Sequence, residues 1–556
     1  MNKIFSRITV LVPKLKYNLF MGVLFAILAV LPDYLFMAFL PNITYLTDIV
    51  FLLVMFIFGF FLSLSGLAVY TACCLTFMFM QTVQLGHIAY FSRPINPLDI
   101  GKVFGEFEDI YSAGMSDLDD FWFVPAAAIL PFLILIFMEF KWRKKLYFSF
   151  IGILAVIIFF GVKPERATRR GLHSFLPPET RYSIHNSINS FSFYLVRGAD
   201  SKNIHDIVPR NFYLPYKADK LLESSQLVVL VMGESTNADK MHLFNSEASQ
   251  TTPQLDKLKN DSNFAYSTAI SGAVSTHSSL PIFFNMMKEP GNIIKLENND
   301  TNLFKMAKEN GFKTYFYSAY DMKQTNLIGV RYIDEIVTSE HNPRKFKRRK
   351  EDLLLEMFKK LDLKNGKNFV VLNFKSVHSP YEENYAHHPE FDVFKPKDDS
   401  RFAEENAAYE NAVLYIDSIL GQLLTEFKRL NVPNSQFIFT SDHGEMLGAP
   451  DGRYGHNQLV MEDMRVPFLL YNIGGKMPVL PEGVISHYEI AELAAQYLGY
   501  KVRNPNYSDD VFFVHGNNLF EDYQFIEYKR QKGQLQEMLK DEVEDFVKMQ
   551  NKEVVE

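Results

Sequence analysis

Cysteine is nearly absent. The 556 residues hold two, Cys73 and Cys74, adjacent within an apolar run. Neighbours in such a run are poor disulfide partners, and two cysteines give no zinc-finger spacing. The fold is therefore not stapled by disulfides, and any metal must be held by histidine and carboxylate groups. A basic excess is also missing: the formal net charge is −7, so no nucleic-acid partner is expected. No small-residue cleavage site follows the first apolar stretch, and no cleavable signal is evident.

What is present is unevenly spread. Phenylalanine is abundant, at 51 residues, and apolar residues concentrate in the first third. Residues 18–40 form one apolar stretch, interrupted by Pro32 and Asp33. Residues 49–91 form a second, which as one straight helix would reach about 65 Å, roughly twice the hydrocarbon thickness. The cluster Ser-Leu-Ser-Gly at 63–66 is the place to fold it into a hairpin. Two more apolar stretches follow, near 121–139 and 146–162. Residues 1–162 are thus expected to form a membrane domain of five transmembrane helices. Lys3, Arg7, Lys14 and Lys16, together with Lys141, Arg143, Lys144 and Lys145, then share the cytoplasmic side, as the positive-inside rule asks. An odd number of spans exports everything after residue 163, which in a Gram-negative cell means an inner-membrane protein with a periplasmic domain. Lys163, Arg166, Arg169 and Arg170 fall on the outer side, where they would meet anionic headgroups. The acidic loop 92–120 reads either as a helix resting on the membrane near a lipid substrate or as a solvated connector. Residues 163–220 read as an interfacial bridge. Residues 521–556 read as a charged tail, an exposed helix or a partly disordered end.

From about 221 to 520 the composition is globular. Short β-branched or aromatic runs, at 226–232, 312–319, 368–374, 436–441 and 466–472, alternate with helical stretches such as 406–430. This alternation predicts an α/β domain with a largely parallel sheet, whose ligands sit beyond the carboxyl ends of the strands. Those ends carry metal-competent groups. The first run ends in Glu234-Ser235-Thr236, the third is followed by His378, and the fourth ends in Asp442-His443, with His456 shortly after. Oxygen and imidazole donors without thiolate suit zinc or manganese. Each residue alone reads more simply as a turn or cap; the coincidence of three strand ends favours a site. His242, His277, His341, His387 and His388 read as satisfied or exposed residues without catalytic role. On these residues alone, the nucleophile remains open between Thr276, Thr236 and Ser235.

The set Gly-Glu-Ser-Thr at 233–236, Thr-His-Ser-Ser-Leu-Pro at 276–281, the strand followed by His378, and Ser-Asp-His-Gly-Glu at 441–445 resembles the phosphoethanolamine transferases of the alkaline phosphatase/sulfatase superfamily. That group includes enzymes that modify lipid A or lipopolysaccharide core and the mobile colistin-resistance enzymes. Stretches 233–258, 387–396, 409–420 and 465–472 agree as well, so the similarity runs over nearly the whole chain. It implies a sulfatase-like α/β sandwich and assigns the nucleophile to Thr276. It also implies a metal, zinc with manganese as the alternative, held by Glu234, Thr276, Asp442 and His443. His378 and His456 would bind phosphate oxygens, donate a proton to the leaving alcohol, or hold a second metal. The implied reaction is two-step. Thr276 takes phosphoethanolamine from phosphatidylethanolamine, releasing diacylglycerol, and an acceptor hydroxyl then takes it from Thr276. The implied acceptor is lipid A, a core sugar or another envelope glycan. A phosphoglycerol transferase using phosphatidylglycerol, a sulfatase- or phosphodiesterase-type hydrolase, and an inactive membrane scaffold are the competing readings. The chain departs from the pattern in two places. Gly272 and Ile282 stand where many relatives carry a cysteine pair flanking the nucleophile, so the nucleophile loop is expected to rest on packing and hydrogen bonds and to disorder more easily. Asn237 stands where an arginine is common in lipid A enzymes.

Overall fold

The computed structural model describes residues 2–39, 45–91, 94–97, 99–100, 122–142, 148–169, 175–177, 180–198, 214–290, 292–448, 452–516 and 525–537. Most of the loop 92–120, the basic residues Arg143, Lys144, Lys145 and Arg170, and the end of the tail lie outside this set. The chain divides into two compact units, residues 1–206 and 207–556.

The first unit is helical. Its long elements are α1 (Asn2–Phe39), α2 (Ile49–Leu62), α3 (Leu67–Phe91), α4 (Phe123–Lys141) and α5 (Ser149–Ala167), followed by α6 (Ser183–Phe193). The break between α2 and α3 falls at 63–66, where the small polar residues Ser63, Ser65 and Gly66 interrupt the apolar run. Among the described residues, three segments are long and apolar enough to cross a membrane: Leu15–Phe39, Leu67–Ala89 and Phe123–Lys141. α2 is apolar but has 14 residues, about 21 Å. α5 carries Lys163, Glu165 and Arg166 in its last turns. Within the segment read as an interfacial bridge, α6 is buried on most of its surface. Its polar residues make this possible. Ser183 N–H donates to Asp33 Oδ1 at 3.0 Å, Gln81 Nε2 donates to Ser183 Oγ at 2.8 Å, and Asn186 Nδ2 donates to the Ile95 carbonyl at 2.7 Å.

The second unit is built on an eight-stranded sheet. Its strands are β1 (Leu227–Gly233), β2 (Phe264–Ile270), β3 (Phe312–Ser318), β4 (Glu335–Val337), β5 (Lys367–Asn373), β6 (Ser435–Ser441), β7 (Arg465–Ile473) and β8 (Ile485–Ser486). The order across the sheet is β8-β2-β7-β6-β1-β5-β3-β4. Only β7 runs antiparallel to its neighbours, β2 and β6; every other pairing is parallel. β1 lies in the middle and is buried along its length, which is why it reads as a continuous apolar run rather than an alternating one. Side chains alternate faces along a strand. Leu227, Val229 and Val231 join a core that includes residues of α8 (Pro343–Lys360) and α9 (Arg401–Leu430). Val228, Leu230 and Met232 join another, which includes residues of α7 (Thr276–Phe284) and α10 (His487–Tyr497).

The tail reading also changes. A separate antiparallel sheet is formed by β9 (Val511–His515), β10 (Phe525–Gln531) and β11 (Gln534–Glu537). Its alternation of apolar and charged residues, Phe525-Ile526-Glu527-Tyr528-Lys529, has the strand period of two. Residues 538–556 lie outside the described set.

Candidate metal centre

Three neighbouring parallel strands, β6, β1 and β5, deliver their exits to one edge of the sheet. Glu234 follows β1, Asp442 and His443 follow β6, and His378 lies on the loop after β5. The strand-end rule therefore places these residues side by side because their strands are side by side. Thr276 comes from a different direction, as the first residue of α7, and is 7% exposed.

Glu234, Asp442 and His443 are buried, with ligand-type atoms within 4.8 Å of one another. His443 Nε2 lies 3.4 Å from Glu234 Oε1 and 3.5 Å from Asp442 Oδ2. Thr276 Oγ1 donates to Glu234 Oε2 at 3.1 Å and stands 3.4 Å from His443 Nε2. The far side of the imidazole is fixed, since Nδ1–H donates to the Gly444 carbonyl at 2.8 Å, which leaves Nε2 aimed into the cluster. Asp442 Oδ1 accepts from Ser235 N–H and His443 N–H, at 3.1 and 2.8 Å, whereas Oδ2 accepts no hydrogen bond among the described residues. A buried carboxylate oxygen without a donor is costly, and a cation is what it fits. The electrostatics agree. Burial and the Glu234 charge push Asp442 above the usual carboxylate range. Burial opposes ionisation of Glu234 too, but its contact with His443 holds it low. Burial likewise opposes charge on His443, and Asp442 and Glu234 overcome this and raise it to about 10. Two carboxylates thus lean on one imidazole, and a divalent cation would satisfy all three.

The hydroxyls beside Glu234 are absorbed locally. Ser235 has a left-handed backbone, φ 52, which turns the chain so that its N–H reaches Asp442. Its Oγ donates to Glu234 Oε1 at 3.0 Å, and Thr236 Oγ1 donates to the Glu234 carbonyl at 3.1 Å. The turn is clamped by Tyr409 of α9, whose OH donates to the Ser235 carbonyl at 2.7 Å and accepts from Asn237 N–H at 2.8 Å.

His456 and His378 extend the row of imidazoles. The His456 ring lies 4.5 Å from that of His443 and 5.9 Å from that of His378. His456 Nδ1 pairs with Glu445 Oε2 at 3.0 Å, and Tyr381 OH donates to Glu445 Oε1 at 2.6 Å. Burial lowers the His456 pKa, but Glu445 leaves it raised overall. Glu445 was not among the expected site residues, although it stands inside the Ser-Asp-His-Gly-Glu motif. His443, Glu445 and His456 form a second group with metal-competent spacing. Tyr320, at the exit of β3, was also missed. Burial and the charges of Glu234 and Asp442 hold its hydroxyl well above its usual range; extending the strand-end rule to 312–319 would have found it. The glycine of the motif has its own reason, because a Cβ at Gly444 would stand 2.2 Å from the Glu462 carbonyl oxygen.

Other histidines lie elsewhere in the unit. His242 pairs with Asp256 at 2.6 Å, His388 pairs with Asp352 at 2.7 Å, and His341 caps a short turn through Thr338; His277 and His387 are exposed. The loop that leads to Thr276 is held without cysteine. Ser271 N–H donates to the Met464 carbonyl at 2.8 Å, Val274 N–H to the His515 carbonyl at 3.1 Å, and Asn457 N–H to the Val274 carbonyl at 3.1 Å. A Cβ at Gly272 would lie 2.6 Å from Ile282 Cγ2, so the two positions are already in close contact.

Comparison with known proteins places this geometry. Residues 226–500 match the sulfatase family model. YhbX of Escherichia coli (strain K12) is 29% identical over 218 residues, covering 39% of this chain and 37% of YhbX. Phosphoethanolamine transferase EptC of the same strain is 25% identical over 346 residues, covering 55% of this chain and 58% of EptC. The matches thus span about half of these relatives or less. The crystal structure of the C-terminal periplasmic domain of Escherichia coli EptC aligns with a TM-score of 0.46 at 22% identity, covering 57% of this chain and 96% of that domain. With its strand exits, its motif set and the matched family model, residues 226–500 form a sulfatase-family domain, and the chain is homologous to phosphoethanolamine transferase EptC over the matched stretch.

Proposed function

We propose that this chain transfers phosphoethanolamine from phosphatidylethanolamine to an envelope acceptor, lipid A or a core sugar of lipopolysaccharide, through a covalent intermediate on Thr276. The observation that carries this reading is the placement of Thr276 Oγ1, 3.1 Å from Glu234 Oε2 and 3.4 Å from His443 Nε2, inside a buried acidic cluster. A covalent two-step transfer needs a nucleophile held against the charge-stabilising groups, and the similarity to phosphoethanolamine transferase EptC favours an acceptor alcohol over water in the second step. Glu234, Asp442, His443 and Thr276 Oγ1 would hold the cation, and their oxygen and imidazole donors suit zinc, with manganese as the alternative. When bound, such a cation supplies Lewis acidity that makes the Thr276 hydroxyl ionisable near neutral pH and offsets charge on the phosphoryl oxygens.

The chain's own residues do the rest. Thr276 Oγ, its proton lost to solvent, forms a bond to phosphorus as the bond from phosphorus to the diacylglycerol oxygen breaks. His456, kept basic by Glu445, gives the departing oxygen its proton. In the second half the same imidazole takes the proton of an acceptor hydroxyl, whose oxygen displaces Thr276 from phosphorus. His378, third in the row, binds phosphoryl oxygens. Donor and acceptor are both membrane components, which is the reason for the helical unit. We propose five spans in a Gram-negative inner membrane, with the catalytic unit in the periplasm, on the strength of the lysine and arginine distribution.

The test uses the full chain in detergent with phosphatidylethanolamine labelled in ethanolamine, or phosphatidylglycerol labelled in glycerol. The expected result is ethanolamine label on the peptide containing Thr276 in the wild type and none in Thr276→Ala. Equal labelling of both proteins, or labelling by the glycerol lipid alone, overturns the reading.

A further inference from the structure

His487 touches none of the groups that would hold a cation, yet it joins the two segments that carry them. It is the first residue of α10, and its backbone is fixed by a capping box. Ser486 Oγ accepts from Glu489 N–H at 3.3 Å, and Glu489 Oε2 accepts from Ser486 N–H at 2.8 Å. Glu489 is itself gripped by Arg530 of β10, at 2.9 and 3.2 Å. From this anchored position the ring, in a residue 1% exposed, reaches in two directions. On one side, Gly272 N–H, four residues before Thr276, donates to Nδ1 at 3.1 Å. On the other, Nε2–H donates to the Ser441 carbonyl at 2.9 Å, one residue before Asp442. Ser279 of α7 stands 3.5 Å from Nδ1, and its Oγ donates to the Asp442 carbonyl at 2.5 Å. Phe283 packs against the ring at 5.2 Å between centroids and 81° between planes.

These contacts fix the chemistry of the ring. An Nδ1 that accepts a backbone N–H carries no proton, so the imidazole is neutral and its single proton is on Nε2. Burial enforces the same state by holding the group down to about 3. The ring then works as a rigid strut with an acceptor at one end and a donor at the other. It spans from the nucleophile loop to the strand exit that bears Asp442 and His443.

We propose that His487 is a positioning residue that sets the separation between Thr276 and the Asp442–His443 pair. The proposal rests on the reading of Thr276 as nucleophile. Reacting atoms need near-contact geometry, and a misplacement of about 1 Å costs about a hundredfold in rate. Loss of the Nδ1 acceptor leaves a buried Gly272 N–H without a partner, which the loop can relieve only by moving.

Three variants of the full chain separate positioning from general stability. Asn at 487 keeps an acceptor near the Nδ1 position, Gln keeps a donor near the Nε2 position, and Phe keeps the ring with neither. Two measurements are made on each: hydrogen exchange of the peptide covering 271–275, and kcat and KM for phosphatidylethanolamine. H487F is expected to lose about a hundredfold in kcat with KM within about twofold, and to exchange at least about tenfold faster over 271–275. H487N is expected to restore slow exchange and recover about tenfold of the lost rate, while H487Q restores neither. A kcat for H487F within about threefold of wild type overturns the proposal. So does equal impairment of the Asn and Gln variants, and so does a loss of thermal stability at unchanged rate. If the Phe variant does not fold, the Asn and Gln comparison decides. If the wild type forms no adduct on Thr276, the function reading fails by itself, and the exchange pattern still decides whether His487 holds the loop.

Discussion

Replacing Asp442 by Asn should make the protein more stable in chelator and less stable in zinc, reversing the order of the two proteins. The argument starts from distances. Asp442 Oδ2 lies 3.5 Å from His443 Nε2, and the Glu234 and Asp442 ligand atoms lie within 4.8 Å of each other. At an effective dielectric of about 20, attraction to a protonated His443 is worth about 5 kcal/mol and repulsion from Glu234 costs about 4 kcal/mol. The remaining attraction, about 1 kcal/mol, is smaller than the several kcal/mol needed to desolvate a second buried carboxylate. Asn keeps an oxygen for the Ser235 and His443 N–H groups and carries no charge. The chelated variant should therefore be more stable by about 1–3 kcal/mol. Zinc at a hundredfold excess over its dissociation constant should add about 2.7 kcal/mol to the wild type and much less to the variant, which lacks a proposed ligand. Thermal melting of the detergent-solubilised full chain, in chelator and in zinc, reads both effects. A wild type that melts above the variant in chelator, or an equal zinc shift in the two proteins, would refute the reasoning.

Gly272→Ala should cost about 1–3 kcal/mol through overpacking against Ile282 Cγ2. Adding Ile282→Leu, which moves the branch off Cβ, should recover part of it, as a double-mutant cycle by denaturation would show. Glu351 is buried and accepts from Lys375 N–H, Ser376 N–H and Ser376 Oγ at 2.7, 2.9 and 2.6 Å, so it holds the loop that carries His378. Glu351→Gln should lose about 1–3 kcal/mol of stability and lower transferase activity; an unchanged melting curve would contradict this. Lys295 is buried with its Nζ 3.2 Å from the centre of the Tyr216 ring, and burial holds its pKa down to about 7 against the charges of Glu289 and Asp300. The native state then binds fewer protons than the unfolded chain between about 7 and 10.5, so stability should rise with pH across that window. Lys295→Met should flatten that rise in urea titrations.

The strands that build the site were legible as sequence because they are buried on both faces. β1, β3, β5, β6 and β7 read as short continuous apolar runs and fall within a residue or two of their expected limits. β2 was not expected, since Ser267 and Thr268 break its apolar run, and β4 and β8 are too short to carry a pattern. The turn at 63–66 was legible for a different reason, because the hydrocarbon thickness limits how long an apolar helix can remain unbroken. Charge along 521–537 masked the period of two in β10, and the polar residues of α6 concealed that it is buried.

Local chemistry in the sequence singled out the residues proposed to bind a cation or attack phosphorus: Glu234, Thr276, Asp442, His443, His378 and His456. It could not determine which of them meet. That depends on strand order, and the order β6-β1-β5 arises from pairing between residues more than a hundred positions apart. Nor could it show that Ser235 and Thr236 spend their hydrogen bonds on Glu234 itself, that Glu445 supports His456, or that His487 spans the gap between the Thr276 loop and the end of β6. Those roles belong to side chains whose partners are distant in sequence, so only the folded chain assigns them.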